Sequence, residues 1–282
     1  MAGSGPNGIP CLQRSGGVGP SSCGKCSFSL EVHLTPNPIR KVLSTIRMHH
    51  VQALLMGGQA CVFYGAAEFS RDIDLAIPGE KDNLLSIQGA MDELQAKVIA
   101  LPPFERSYLE RGHAVHFRCN HPEAQHIRVD LMTHLRGVDM FSDLWERRTA
   151  IETAEGETID LMGLPDLVKA KKTQRDKDWP MIRRLVEAHY AEFRFSPTPE
   201  RRRFWLNELR SPILLLEELA AGPAIESELS PARMWLATGS AWPEDEIALK
   251  LRDEEFAERS ADKLYWDPLK RELETLRRSS WP

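Results

Sequence analysis

Asp72 and Asp74, at alternate positions in Ser70-Arg71-Asp72-Ile73-Asp74-Leu75, are the residues best placed to do chemistry. Strand residues two apart point to the same face, so both carboxylates project together while Ile73 and Leu75 pack behind them. Like charges so close repel, and a cation or a retained proton must relieve them. A divalent-metal site is the expected chemistry. Upstream, an apolar run (Val51, Ala53, Leu54, Leu55, Met56) leads into Gly57-Gly58. A strand that turns at paired glycines directly into a helix leaves the first helical N–H groups unpaired, with no side chain to keep a phosphate away. A further carboxylate, Asp130, lies in Arg128-Val129-Asp130-Leu131-Met132. With Val129 and Leu131 on one face, Asp130 shares the other with Arg128 and Met132.

These residues need elements to position them. Apolar spacing predicts a helix over 39–48, a strand over 52–56, a helix over 59–65 and a strand over 72–77 closed by Pro78-Gly79. Asp82 is the expected N-cap of a helix whose face carries Leu84, Leu85, Ile87, Met91 and Leu94. Short strands are expected over 97–101, 114–119, 126–132 and 158–162, the middle two paired through a polar loop. Gly163-Leu164-Pro165 opens a helix, with proline suited to its first turn. If that helix runs on through Arg175, then Leu167, Lys171 and Arg175 share a face and two cations can meet one anion. A solvated basic face is the plainer reading of these lysines, and Asp178 suits the N-cap of a new helix at Trp179-Pro180.

The stretch from Gly57 to Leu75, with Gly-Gly followed by Asp-Ile-Asp, resembles the signature of the DNA polymerase beta-type nucleotidyltransferase superfamily, over residues 40 to 190. The resemblance implies two-metal phosphoryl transfer with Mg²⁺ or Mn²⁺ held by Asp72, Asp74 and Asp130, and a triphosphate held at Gly57 and Gly58. An exposed strand aspartate is the alternative for Asp130, although Asp is a poor strand former. The segment from Asp166 to Asp178 is similar to the Asp-Leu-x-x-x-Lys and Arg-x-Lys-Asp of nucleotidyltransferases related to abortive-infection (type IV toxin–antitoxin) toxins. That similarity makes Lys171 the phosphate-facing lysine, assisted by Arg175, and Asp178 the later acidic residue of the catalytic set. The chain departs from the pattern in two places. Glu68 stands four positions before Asp72, where members often carry arginine, and Arg71 comes immediately before it. The usual Gly-Ser is Gly-Gly, which leaves Ser70 to supply a hydroxyl.

The chain has 282 residues, an apolar fraction of 42% and a net charge of −5, enough for a real core and without a global pull toward nucleic acid. Residues 1–35 carry three of the five cysteines and read as a disordered tail, with half a zinc site or a redox pair at Cys23-Gly-Lys-Cys26 as the alternative. Cys61 and Cys119 read as buried thiols in a reducing, cytoplasmic setting. No apolar run is long enough for a membrane span, and the first residues lack the charged start and apolar middle expected of a signal peptide. Arg201-Arg202-Arg203 beside Phe204 and Trp205 is either an RNA contact or a helix surface over buried aromatics. The expected architecture is α+β: a nucleotidyltransferase-like mixed sheet flanked by helices over 36–162, then a helical C-terminal region over 163–282.

The expected activity is transfer of a nucleoside monophosphate from a nucleoside triphosphate to an acceptor hydroxyl, with RNA the first expectation for the acceptor and an antitoxin protein for a partner. The alternative is a nucleotide- or partner-binding module of the same fold that does not turn over.

Overall fold

A computed structural model describes residues 37–67, 69–153, 156–238 and 242–279. The tail expected over 1–35, with Cys23 and Cys26, lies outside the described residues, as does Glu68. The chain is α+β, built on a mixed seven-stranded sheet: β1 (Leu54–Met56), β2 (Asp72–Ala76), β3 (Lys97–Val98), β4 (Val115–Arg118), β5 (Arg128–Met132), β6 (Thr149–Glu152) and β7 (Thr158–Leu161), in the order β3-β4-β5-β2-β1-β7-β6. The pairs β2–β5 and β1–β7 are parallel and the others antiparallel.

Strand alternation divides the core between the two faces of the sheet. One face carries Leu55, Ile73, Leu75, Val115, Phe117, Val129 and Leu131. It is covered by α1 (Asn37–Met48), through Ile39, Val42 and Ile46, and by α3 (Lys81–Glu93), through Ile87, Ala90 and Met91. The other face contributes Leu54, Met56 and Ala76 to a second cluster. Its helices are α6 (Leu164–Ala170), α7 (Asp178–Phe193), α8 (Pro199–Glu208), α9 (Pro212–Ala221) and α10 (Glu244–Ser279), which bring Leu167, Ile182, Trp205, Leu215 and Leu251. Sheet and helical region therefore share one continuous core. Three short helices complete the set: α2 (Gly57–Phe63), α4 (Arg106–Glu110) and α5 (Phe141–Glu146).

Four local expectations change. The helix expected to run from Pro165 through Arg175 stops at Ala170, and α7 begins at Asp178. Thr198 caps α8 with its own side chain, whereas Asp82 lies in the first turn of α3, whose N-cap is Glu80. Strand β6 joins the sheet edge where no strand was expected. Between α9 and α10 the chain makes two 3₁₀ turns, Glu226–Glu228 and Pro231–Thr238, in place of a continuous helix. Among the described residues no helix is long and apolar enough to cross a membrane.

Candidate active site

The carboxylates meet at the centre of the sheet. In the parallel ladder of β2 and β5, Asp74 pairs with Asp130 and Asp72 with Arg128, so all four side chains leave the same face. The antiparallel neighbours add His116, opposite Asp130, and Met56, opposite Asp74. Burial and the nearby Asp130 raise the Asp74 pKa; Lys171 and the Gly58 N–H oppose that rise. Asp72, at the strand end, is exposed.

Asp130 is not free. Its Oδ1 accepts from Arg128 Nε at 2.7 Å and lies 2.8 Å from His116 Nδ1. Arg128 Nη2 is also 3.0 Å from that same ring nitrogen. Partial burial works against the charged guanidinium, but Asp130, with Asp72 and Asp74 behind it, outweighs that cost and raises its pKa. One arginine thus stands on a face with three acids and pairs directly with one of them, Asp130.

The paired glycines are required by close approach. Gly57 has φ +65°, and a Cβ there would fall 1.8 Å from Asp74 Oδ2. A Cβ on Gly58 would fall 2.5 Å from Ser70 Oγ. The Ser70 hydroxyl thus occupies the space where a side chain at 58 would begin, and it bonds the Asp72 carbonyl at 3.3 Å. The Gly58 N–H lies on the Asp74 side of this turn and favours the ionised form of that carboxylate. Arg71 is exposed, with its guanidinium 5.9 Å from the Phe69 ring centre.

Lys171 follows the last residue of α6 and is buried, its side chain 9% exposed. Nζ lies 3.8 Å from Asp178 Oδ1 and near both Asp74 and the Cys61 thiol, which burial pushes up to about 11. Asp178 does not cap α7 with its side chain. It accepts from Thr173 Oγ1 at 2.5 Å and Arg175 Nε at 2.7 Å. The helix breaks at Ala170 because these bonds, and Trp179 Nε1 donating to the Thr173 carbonyl at 2.8 Å, gather residues 171–178 into a compact loop. Arg175 therefore shares no helical face with Lys171. It folds back onto Asp178 at the loop surface.

The last helix closes the other side. Asp262 on α10 is buried, accepts from the Gln174 N–H at 2.9 Å, and so pins the loop. Asp72, Asp74, Asp130, Lys171 and Asp178 line one cavity of about 670 Å³, together with Gly57, Gly58, Ser70, Arg175 and Lys177. Arg71 does not line it. Among the other lining residues are His116, Arg128, Asp262, Trp266 and Lys270, to which the sequence assigns no functional role. Arg128 carried a signal, since it sits two residues before Asp130 on the same strand face. Trp266 and Lys270 carried none, because only the docking of α10 brings them there. The Arg201–Arg203 run stands apart from the cavity: Arg201 covers Phe193, Arg202 pairs with Glu218, and Arg203 lies 3.9 Å from Glu228.

The donor set suits a hard divalent cation: carboxylate oxygens on one face, a half-buried Asp74 that resists ionisation, and a guanidinium as stand-in positive charge. Among the described residues no three Asp, Glu, His or Cys side chains converge closely enough to hold an ion as they stand. Asp130 is turned onto Arg128 and His116. No protein-family model matches the chain, and no curated protein matches it.

Proposed function

We infer that the chain is a metal-dependent nucleotidyltransferase that moves a nucleoside monophosphate from a triphosphate to an acceptor hydroxyl. The observation that carries this reading is the register of Asp74 against Asp130 across β2 and β5, with Asp72 one step along the same face, over a cavity of nucleotide size. Asp72, Asp74 and Asp130 would hold Mg²⁺ or Mn²⁺, which would supply neutralising charge to the triphosphate and the leaving pyrophosphate. The chain's own residues do the rest. Lys171, buried beside Asp74 and Asp178, places a fixed positive charge against the phosphates. Gly57 and Gly58 let Asp74 and Ser70 approach. The acceptor oxygen attacks the α-phosphorus, the bond to the β-phosphate oxygen breaks, and a carboxylate of the cluster takes the hydroxyl proton.

RNA is the acceptor class this reading puts first. Arg175 and Lys177 are exposed at the cavity, and Lys270 lines it, in a chain whose net charge is −5. The second reading, nucleotide binding without turnover, is favoured by one observation, the Arg128–Asp130 pair.

The experiment is incubation with Mg²⁺, triphosphates labelled at the α-phosphate, and pools of RNA and protein. The expected outcome is label in polymer with release of pyrophosphate, falling by roughly 10²-fold or more in Asp74→Asn and Asp130→Asn. Nucleotide binding without pyrophosphate release would establish the second reading. Full turnover by Asp130→Asn would remove Asp130 from the metal set.

A further inference from the structure

Arg128 is a side chain on the acidic face whose present partner and expected ligand conflict. Its Nε occupies Asp130 Oδ1 at 2.7 Å, and its strand register places it directly beside Asp72. A divalent cation seated between Asp74 and Asp130 would face a guanidinium a few ångströms away, and in a partly buried site that repulsion is weakly screened.

We propose that Arg128 is an exchangeable counter-ion: it holds Asp130 while the site is empty, leaves when a divalent metal binds, and then takes the phosphates of the incoming nucleotide. The proposal rests on the nucleotidyltransferase reading for its second half only. Three observations support it. Arg128 is held on one side only: Nε and Nη2 contact Asp130 and His116, while the side chain is 37% exposed toward the cavity. Buried Lys171, by contrast, has little room to move. The guanidinium fork also matches a phosphate as well as a carboxylate, so transfer from one to the other keeps its hydrogen bonds satisfied. Finally, the exchange accounts for the absence, among the described residues, of a ready three-ligand metal group on a face with the acids to make one. His116 guides the exchange: its Nδ1 contacts both arginine and carboxylate and stays beside Asp130 when Arg128 leaves.

The test compares the full chain with Arg128→Met and Arg128→Lys. Mn²⁺ binding is measured without nucleotide, by the electron paramagnetic resonance of the free ion. Binding of a non-hydrolysable triphosphate in Mg²⁺ is measured by calorimetry. Loss of the competing cation should tighten Mn²⁺ binding by about fivefold in Arg128→Met, with Arg128→Lys between it and the parent. Loss of the fork should weaken nucleotide binding by about tenfold in Arg128→Met. Unchanged or weaker Mn²⁺ binding in both variants overturns the counter-ion role. Tighter Mn²⁺ binding with unchanged nucleotide affinity overturns the transfer to phosphate. The Mn²⁺ measurement involves neither nucleotide nor turnover, so it decides the counter-ion role even if no nucleotide is transferred.

Discussion

The carboxylate of Asp74 fills the space that a side chain at Gly57 would need: a Cβ there would fall 1.8 Å from Oδ2 and 2.7 Å from the aspartate's own Cβ. The positive φ at Gly57 adds backbone strain to any substitution. Gly57→Ala is expected to cost roughly 2–4 kcal/mol of stability and to displace Asp74, abolishing metal binding. Gly58→Ala differs, because its clash is with the Ser70 side chain, 2.5 Å away at Oγ, without a positive φ. Ser70→Gly should therefore recover most of the stability lost in Gly58→Ala, and should recover nothing in Gly57→Ala. Denaturant titration of the singles and doubles measures the coupling.

Adjacent lysines should behave in different ways. Lys171→Met, which removes the charge beside Asp74 and Asp178 but keeps the stem, is expected to weaken binding of a non-hydrolysable triphosphate about tenfold or more. Lys172 is no neutral control. Its Nζ sits 2.8 Å from Glu208 Oε2 and 4.0 Å from Glu254 Oε1, in a buried network where Glu254 also meets Arg210 and Arg233 at 2.7 and 2.6 Å. Lys172→Ala leaves buried acid uncompensated and should cost about 3 kcal/mol of stability. Lys169 is exposed, does not line the cavity and lies 3.8 Å from Asp166. Lys169→Ala should leave nucleotide binding unchanged, and calorimetry with parallel thermal melts separates the three outcomes.

The pH dependence of stability should carry a histidine component far from the site. His189 Nδ1 accepts from Trp205 Nε1 at 2.9 Å, between Phe193 and Phe204, and burial pushes its pKa down to about 4, with Arg201 adding to the shift. In the unfolded chain the same ring protonates near its usual 6.5. Between those values the unfolded state binds the extra proton, so stability falls as pH falls through 6.5 and levels off below about 4. The ring's partial exposure reduces the effect to roughly 2 kcal/mol. In His189→Gln this component is absent, so the stability advantage of the parent over the variant should shrink by that amount between pH 7 and pH 4. A constant difference would show that the ring is not kept neutral.

Local alternation was enough to place Asp72 and Asp74 on one face and to put Asp130 with Arg128 on another strand of the same kind. Strand register depends on which apolar residues are buried, and Ile73, Leu75, Val129 and Leu131 leave no ambiguity. The composition of the loop from Lys171 to Lys177 permits a helix. What stops the helix is Asp178, which collects Thr173 and Arg175, and Asp262, which takes the Gln174 N–H from a helix some ninety residues downstream. The Asp262 bond is tertiary and the Asp178 bonds depend on side-chain conformation, so neither leaves a trace in local periodicity. The same holds for Trp266 and Lys270, whose positions depend on how α10 docks. Strand β6 was missed because its four residues, Thr149 to Glu152, have a single buried apolar member, Ile151, and rely on β7 for their pairing.

The parallel register of β2 against β5 carries a safeguard against misfolding. A slip of one residue in either strand would turn its inward apolar residues outward and drive its carboxylates into the layer occupied by α1 and α3. A one-residue slip therefore cannot keep a sound core while presenting a faulty set of acids. A chain that has buried Ile73 and Val129 has already turned Asp74 and Asp130 to the same face, so quality control exercised on the core is also exercised on the site.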